Sequence, residues 1–419
     1  MSRHDAGRIP PGGAILLLPT LLLACGDGNG PTNPGPSGGV GTLRVTVTTS
    51  GETPDPDGYS LSVQGVPDLP VGDGTFEVAD VPAGDVPVAL AGLAPNCRTD
   101  GENPRSLTVQ RDALVTTAFA VRCPRALFDA VLFSSDRTGD REVFALTAGG
   151  GSPVNLSAAT GIDWLGVVSP DGTRVLIDSE RDGNREIYVV GADGLDEKNL
   201  TNQPISDEAI PDWSPDGARI VFESGVDGDL EIYAMDANGG GWTNLTNAPG
   251  SQDRFARWSS EGDRILFTTD RDGNNEIYSM RADGSDPVNL TNDPAEDFFG
   301  AMSPDGARIA FTRRTASGTD VYVMDTDGGV ATNLTADGST VDELPDWSPD
   351  GSRIAFVSNR SGDLEIWMMN PDGSDPVNLT NAPESLESAP LWSPAGDAPV
   401  GFEGGDEGDD GDGADEAAE

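Results

Sequence analysis

A unit of about 45 residues recurs six times between Phe128 and Pro394, and no other feature constrains the fold as much. One copy reads Trp347-Ser-Pro-Asp-Gly-Ser-Arg-Ile-Ala-Phe, then Asn359-Arg-Ser-Gly-Asp-Leu-Glu-Ile-Trp, then Val377-Asn-Leu-Thr. The glycines that close the Ser-Pro-Asp-Gly turns or their equivalents stand at Gly172, Gly217, Gly262, Gly306, Gly351 and Gly396. A period of this size belongs to solenoids, propellers and arrays, in which each unit buries its apolar face only against its neighbours.

Each copy carries four strand signals. The first runs into the Ser-Pro-Asp-Gly turn, where Pro and Gly suit a tight reversal. The second is Arg219-Ile-Val-Phe-Glu or its equivalents, and the third is Glu276-Ile-Tyr-Ser-Met or its equivalents. An Asp-Gly turn leads to the fourth, Val288-Asn-Leu-Thr. Second, third and fourth strands begin near Ala130, Glu142 and Val154, but first strands begin only near Asp163, and the chain ends with a spare one at Leu391-Trp-Ser-Pro. Returning that strand to the first unit closes a ring of six four-stranded blades and leaves no long unpaired edge, which a linear solenoid would not do. The expected fold class is therefore all-β: a six-bladed β-propeller closed by a C-terminal strand, preceded by a small Ig-like β-sandwich.

The charge balance excludes several functions. Asp and Glu number 71 against 25 Lys and Arg, for a net charge of -46. Such a field repels nucleic acid and anionic lipid, and favours cationic partners or divalent metal. The plainer reading places the acids on solvated turns and a tail. The only histidine is His4, in a segment expected to be removed, so Ser-His-Asp and Cys-His chemistry and imidazole metal sites are excluded. Lys198, the only lysine, stands in a turn where nothing would depress its pKa.

Residues 1–24 read as an export signal. Arg3 and Arg8 precede an apolar run from Ala14 to Ala24 that is too short to span a bilayer. Its end, Leu22-Leu-Ala-Cys25, resembles the lipobox of bacterial lipoproteins. The resemblance implies cleavage before Cys25 and acylation of that residue, with stable membrane anchoring by several acyl chains. Residues 25–41 form a Gly/Pro-rich tether. The two remaining cysteines, Cys97 and Cys123, suggest one disulfide in an exported protein, worth about 3 kcal/mol by loop entropy. Residues 404–419 are almost wholly Gly, Ala, Asp and Glu and are expected to stay disordered.

Residues 42–123 alternate with period two at Leu43–Val47, Tyr59–Val63, Thr75–Val78, Val86–Leu90, Leu107–Val109 and Thr117–Val121. The stretch from Phe76 to Leu90 is similar to the PEGA-type and carboxypeptidase-regulatory-like sandwich modules of bacterial surface proteins, which implies a spacer or adhesion role. Residues 124–403 hold the repeats. Their Trp-Ser-Pro-Asp-Gly-x-Arg-Ile-x-Phe, Asp-Gly-x-x-Glu-Ile-Tyr and Asn-Leu-Thr-Asn strings resemble the TolB-type propeller repeat. The resemblance implies a non-enzymatic, protein-binding or scaffold role in the bacterial cell envelope, as in the family's periplasmic member that binds the peptidoglycan-associated lipoprotein. This chain departs from that pattern in carrying a sandwich in place of an α/β domain and a lipid anchor of its own, so the partner among envelope proteins stays open.

Two sets of candidate site residues follow. Asp270, Asp272 and Glu276 have an oxygen-rich spacing that suits calcium, though not the twelve-residue loop of an EF-hand. No other cofactor is expected. The connectors between fourth and first strands hold Asp207, Glu208, Asp253, Glu296, Asp297, Asp342, Glu343, Glu384 and Glu387, an expected acidic face for a protein or cationic partner. The rival readings are a carboxylate-based carbohydrate-active enzyme of glycosidase type on that face, and a calcium-stabilised adhesion module. No residue is assigned a catalytic role.

Overall fold

The computed structural model describes residues 39–51, 58–94, 96–124, 126–158, 160–336 and 341–396. Its regular elements are all β-strands, with no helix among the described residues. The export signal, Cys25, the tether up to residue 38 and the acidic tail lie outside the described residues.

Between Val40 and Arg122 eight strands form two sheets. One orders Gly74–Pro82, Val40–Ser50, Leu114–Arg122 and Arg98–Asp100; the other orders Leu69–Val71, Tyr59–Val63, Gly84–Ala91 and Arg105–Val109. Period-two alternation points Leu43, Val45 and Val47 to one face, where they share a core with Leu61, Val88 and Phe119. Val40–Ser50 lies parallel to Leu114–Arg122, with Val45 opposite Thr117. Leu69–Val71 and Arg98–Asp100 were not readable as strands, because three residues are too few to display a period. A disulfide joins Cys97 to Cys123.

The repeats form six four-stranded sheets. In one, Glu208–Trp213 pairs with Arg219–Ser224, which pairs with Glu231–Asp236, which pairs with the two-residue Thr243–Asn244. The sheet that begins at Ala130–Ser135 takes its first strand, Glu387–Trp392, from the far end of the repeats, with Leu391 opposite Leu132 and Trp392 opposite Val131. Second strands are buried on both faces. Ile220, Val221 and Phe222 are consecutive and all fully buried. Phe133, Phe222, Phe267, Phe311 and Phe356 repeat one such position. Each fully buried side chain of this size contributes about 1.5–3 kcal/mol.

The repeated Trp-Ser-Pro-Asp-Gly letters serve this architecture. The Ser214 hydroxyl donates to Asp216 at 2.6 Å, and Gly217 takes the left-handed φ of 67° that the turn requires. Trp213 and Trp347 are buried, and their indole N–H groups donate to the carbonyls of Val167 and Ala301 in the preceding sheets. The guanidinium of Arg174 lies 4.6 Å over the Trp213 ring. The tryptophans therefore join neighbouring sheets.

Candidate functional site

The first strand of every repeat carries an acid at its first residue, or at the second in Glu296–Met302: Asp163, Glu208, Asp253, Asp297, Asp342 and Glu387. All six are essentially fully buried. In five sheets the partner is an arginine, from the hairpin between second and third strands in four of them and from the second strand itself, at Arg313, in the fifth. Arg181 bonds Asp163 at 3.0 Å, Arg271 bonds Asp253 at 3.1 Å, Arg313 bonds Asp297 at 2.7 Å, Arg360 bonds Asp342 at 3.0 Å and Arg137 bonds Glu387 at 3.0 Å. The same arginines lie over ring faces, Arg181 at 4.5 Å from Tyr188 and Arg271 at 5.1 Å from Tyr278. In the remaining sheet Val226 replaces the arginine, and Glu208 accepts instead from the hydroxyls of Ser206 and Ser224.

This corrects part of the expected acidic face. Glu208, Asp253, Asp297, Asp342 and Glu387 do not present charge to a partner, because a carboxylate held by an arginine or by hydroxyls inside the fold is a structural tie. Asp207 and Glu384 are exposed, and Glu296 and Glu343 are half-buried. Glu296 is paired with Arg314 at 2.9 Å. The face that remains is a sparse rim of four acids.

The calcium candidates are directed to three different places. Asp270 accepts from the backbone N–H of Gln252 at 2.8 Å. Asp272 accepts from the Tyr278 hydroxyl and from Asn289. Glu276 accepts from Thr291, from Asn274 and from the N–H of Asp293. Glu276 belongs to a tie repeated in other sheets, in which a Ser or Thr hydroxyl from the fourth-strand segment donates to the acid that opens the third strand, as Thr246 does to Glu231 and Ser157 to Glu142.

After the opening acid, each first strand leaves its pairing register. The shifts fall between Ala209 and Asp212, Arg254 and Arg257, Phe298 and Ala301, Glu343 and Asp346, and Ser388 and Leu391. Within them Ile210, Phe255, Phe299, Leu344 and Ala389 take φ values of 50°, 57°, 56°, 57° and 51°. For branched and bulky residues this conformation costs about 1–3 kcal/mol and persists only where the surroundings enforce it. For three of the five, those surroundings include a side chain of the preceding sheet's second strand. The N–H of Ile210 donates to Asp178 at 3.2 Å, that of Phe255 to Glu223, and that of Leu344 to Thr312 at 3.0 Å. In the remaining first strand the shift falls between Asp163 and Leu165, and Trp164 is the residue displaced.

These displaced residues surround one cavity of about 260 Å³, lined from all six first strands. Trp164, Leu165, Ile210, Pro211, Phe255, Phe299, Gly300, Leu344, Pro345, Ala389, Pro390 and Leu391 supply an apolar wall, with Ser388 and three arginines, Arg141, Arg185 and Arg257. The Phe255 and Phe299 rings are 4.1 Å apart. Arg185 donates to buried Asp178 at 2.9 Å, and burial raises the Asp178 carboxyl against the opposing pull of Arg185. Arg257 bonds Asp346 at 3.0 Å and lies 3.6 Å from Asp212. Those two acids also accept the N–H groups of Trp392 and Trp258. Burial pushes Asp212 up to about 6, opposed first by Arg257. Val167, Asp212, Arg257, Ala301, Asp346 and Leu391 share one repeat position, so the copies differ where they approach the centre. None of the cavity residues was read from the sequence as part of a site, and Leu391 entered only as the start of the closing strand. The available signal was that the second and third residues after each opening acid carry no charge and vary between copies, while the fourth changes from Val, Ala or Leu to Asp or Arg.

A family model described as the TolB beta propeller domain matches residues 196–317 and 289–407, which together span half of the chain. The chain belongs to this family. Among solved structures, TolB from Acinetobacter baumannii is 23% identical, with a TM-score of 0.57 over 64% of this chain and 67% of that one. A protein of Agrobacterium tumefaciens assigned as TolB is 22% identical, with a TM-score of 0.51 over 63% of this chain and 92% of that one. The propeller of this TolB-family chain is also similar to a chain of a nidogen/laminin complex at 10% identity, with a TM-score of 0.52 over 62% of this chain and 97% of that one. At such identities the likeness is one of fold, and the same fold serves unrelated roles. A comparison with curated proteins found no match.

Proposed function

We propose that the chain is a non-enzymatic, lipid-anchored binding protein of the bacterial cell envelope, whose six sheets close into a six-bladed propeller around the central cavity. The proposed layout is a signal peptide over residues 1–24, the acylated Cys25 with a tether to residue 41, a sandwich over 42–123, the propeller over 124–403 and an acidic tail. Closure is supported by the pairing of Glu387–Trp392 with Ala130–Ser135 and by the contribution of every first strand to one cavity. Envelope location and protein binding are supported by membership of the TolB family together with the lipobox-like Leu22-Leu-Ala-Cys25.

One observation carries the binding reading. The recurrent acids, tyrosines and tryptophans are engaged in the scaffold, whereas the residues that differ between copies converge on the cavity. Variable positions on a rigid frame are where binding resides. The cavity wall carries no Asp or Glu, which leaves no acid/base pair of glycosidase type there. Asp207, Glu296, Glu343 and Glu384 remain as a rim for longer-range contacts. The test is a photo-reactive residue placed at Leu344, in the wall, or at Val288, an exposed outer-strand position. In intact cells the Leu344 probe is expected to capture a discrete envelope protein that the Val288 probe does not. Equal capture at both positions, or none at Leu344, overturns the reading.

A further inference from the structure

The cavity has a charge opposite to that of the chain that holds it. Among 419 residues with a net charge of -46, its wall presents Arg141, Arg185 and Arg257 and no carboxylate. Two of these guanidiniums have acid partners behind the wall: Asp178 for Arg185, and Asp212 with Asp346 for Arg257. Arg141 forms no ion pair among the described residues. Its guanidinium lies 4.9 Å from the centre of the Trp164 ring, which Arg185 also approaches at 5.6 Å. Stacking engages the face of a guanidinium and leaves the N–H groups at its edge directed outward, in the fork that fits a carboxylate. In a chain with nearly three acids for each base, an arginine that makes no ion pair among the described residues and faces an apolar cavity offers its N–H groups to an anion.

Resting on the reading of this cavity as the binding site, we propose that it takes an apolar carboxylate about the size of one aromatic amino acid, with the carboxylate on Arg141 and the apolar body against Phe255, Phe299 and Leu344. The sign is the reverse of what the overall charge suggests. A cationic group would meet three guanidiniums with no carboxylate exposed in the wall. The volume, about 260 Å³, admits one large side chain and not an oligosaccharide or a folded domain. Two sources present this chemistry: a free carboxylic acid, and the carboxyl-terminal residue of a polypeptide.

Calorimetric titration of the purified protein separates them. The probes are N-acetyl-L-phenylalanine and its amide, and a hexapeptide ending in phenylalanine as free acid and as amide. The acids are expected to bind about tenfold or more tightly than the amides, as a charge-assisted pair implies. Arg141→Gln is expected to abolish the difference between acid and amide while leaving the melting temperature unchanged. Comparable binding of both acids assigns a free acid as sufficient; binding of the hexapeptide alone assigns a chain terminus. Equal binding of acid and amide, absence of binding by either acid at millimolar concentration, or acid selectivity that survives Arg141→Gln overturns the proposal. If selectivity is absent while the Leu344 probe still captures a partner, the ligand chemistry is wrong and the binding-module reading stands. If selectivity holds without capture, the reverse applies.

Discussion

Glu223 holds the displaced N–H of Phe255 from within the neighbouring sheet, and burial pushes its carboxyl up to about 7, opposed by that N–H and by Arg185. A carboxyl whose folded pKa exceeds its ordinary 4.5 keeps its proton in the folded state over a range where the unfolded chain has released it. Stability from this group is therefore greatest below pH 4.5 and is lost as pH rises through about 7, by up to about 3 kcal/mol. Glu223→Gln removes the ionisation and keeps an acceptor for Phe255. We expect this variant to match the parent in urea denaturation at pH 4.5 and to exceed it at pH 8; a variant less stable at pH 8 would contradict the assignment. The sequence sets Glu223 apart from Ser134, Thr268, Thr312 and Val357 at the same position, with Asp178 the one other acid there. It does not mark the residue as buried, because burial here is produced by a sheet 32 residues further along the chain.

At the scale of the strand and hairpin, the repeat was legible in its turns and its alternation but not in its ties. The acid at 163, 208, 253, 297, 342 and 387 recurs in every copy, and an arginine holds one hairpin position in four of them, at Arg137, Arg181, Arg271 and Arg360. Sited in connectors, these acids read as surface charge, whereas packing of adjacent strands puts five of them beside an arginine and Glu208 beside two serine hydroxyls in the interior. The bulges were hidden for a different reason: Ile210, Phe255, Phe299 and Leu344 are residue types that disfavour a left-handed backbone, so no local preference announces them. The ties differ in their expected energies. Asp253→Ala leaves Arg271 without its carboxylate against a part-buried ring stack and should cost about 3–5 kcal/mol. Glu208→Ala, in the sheet where Val226 stands in place of arginine, removes only hydroxyl donors' acceptor and should cost about 1–3 kcal/mol. Urea denaturation of the two variants gives the ranking, and a larger loss for Glu208→Ala would mean that the arginine pairs are not the stronger tie.

The whole molecule is joined by charge at a point the sequence does not announce. Arg98 and Arg122 flank the two cysteines of the disulfide and both reach the turn after Glu186–Gly191 in the propeller. Arg98 bonds Asp193 at 2.6 Å and also bonds Asp196; Arg122 bonds Asp193 at 3.2 Å and Asp196 at 2.7 Å. Two guanidiniums thus meet two carboxylates across the junction between sandwich and propeller, while the disulfide keeps the arginine-bearing strands together. These side chains are part-exposed, and single pairs of that kind are worth no more than about 1 kcal/mol and weaken with salt. The net charge of -46 works in the opposite direction, because repulsion among the acids destabilises the compact state until salt screens it. One titration with sodium chloride should therefore move two observables apart. Between 0.05 and about 0.5 M, where the screening length falls from more than 10 Å to a few ångströms, the melting temperature of the propeller should rise. Over the same range proteolysis near residues 123–127 should quicken as the clamp loosens. Asp193→Asn with Asp196→Asn should reproduce the faster cleavage at low salt and leave the propeller's melting temperature nearly unchanged. Cleavage that is indifferent to both salt and substitution would show that packing, and not the four charges, holds the sandwich in place.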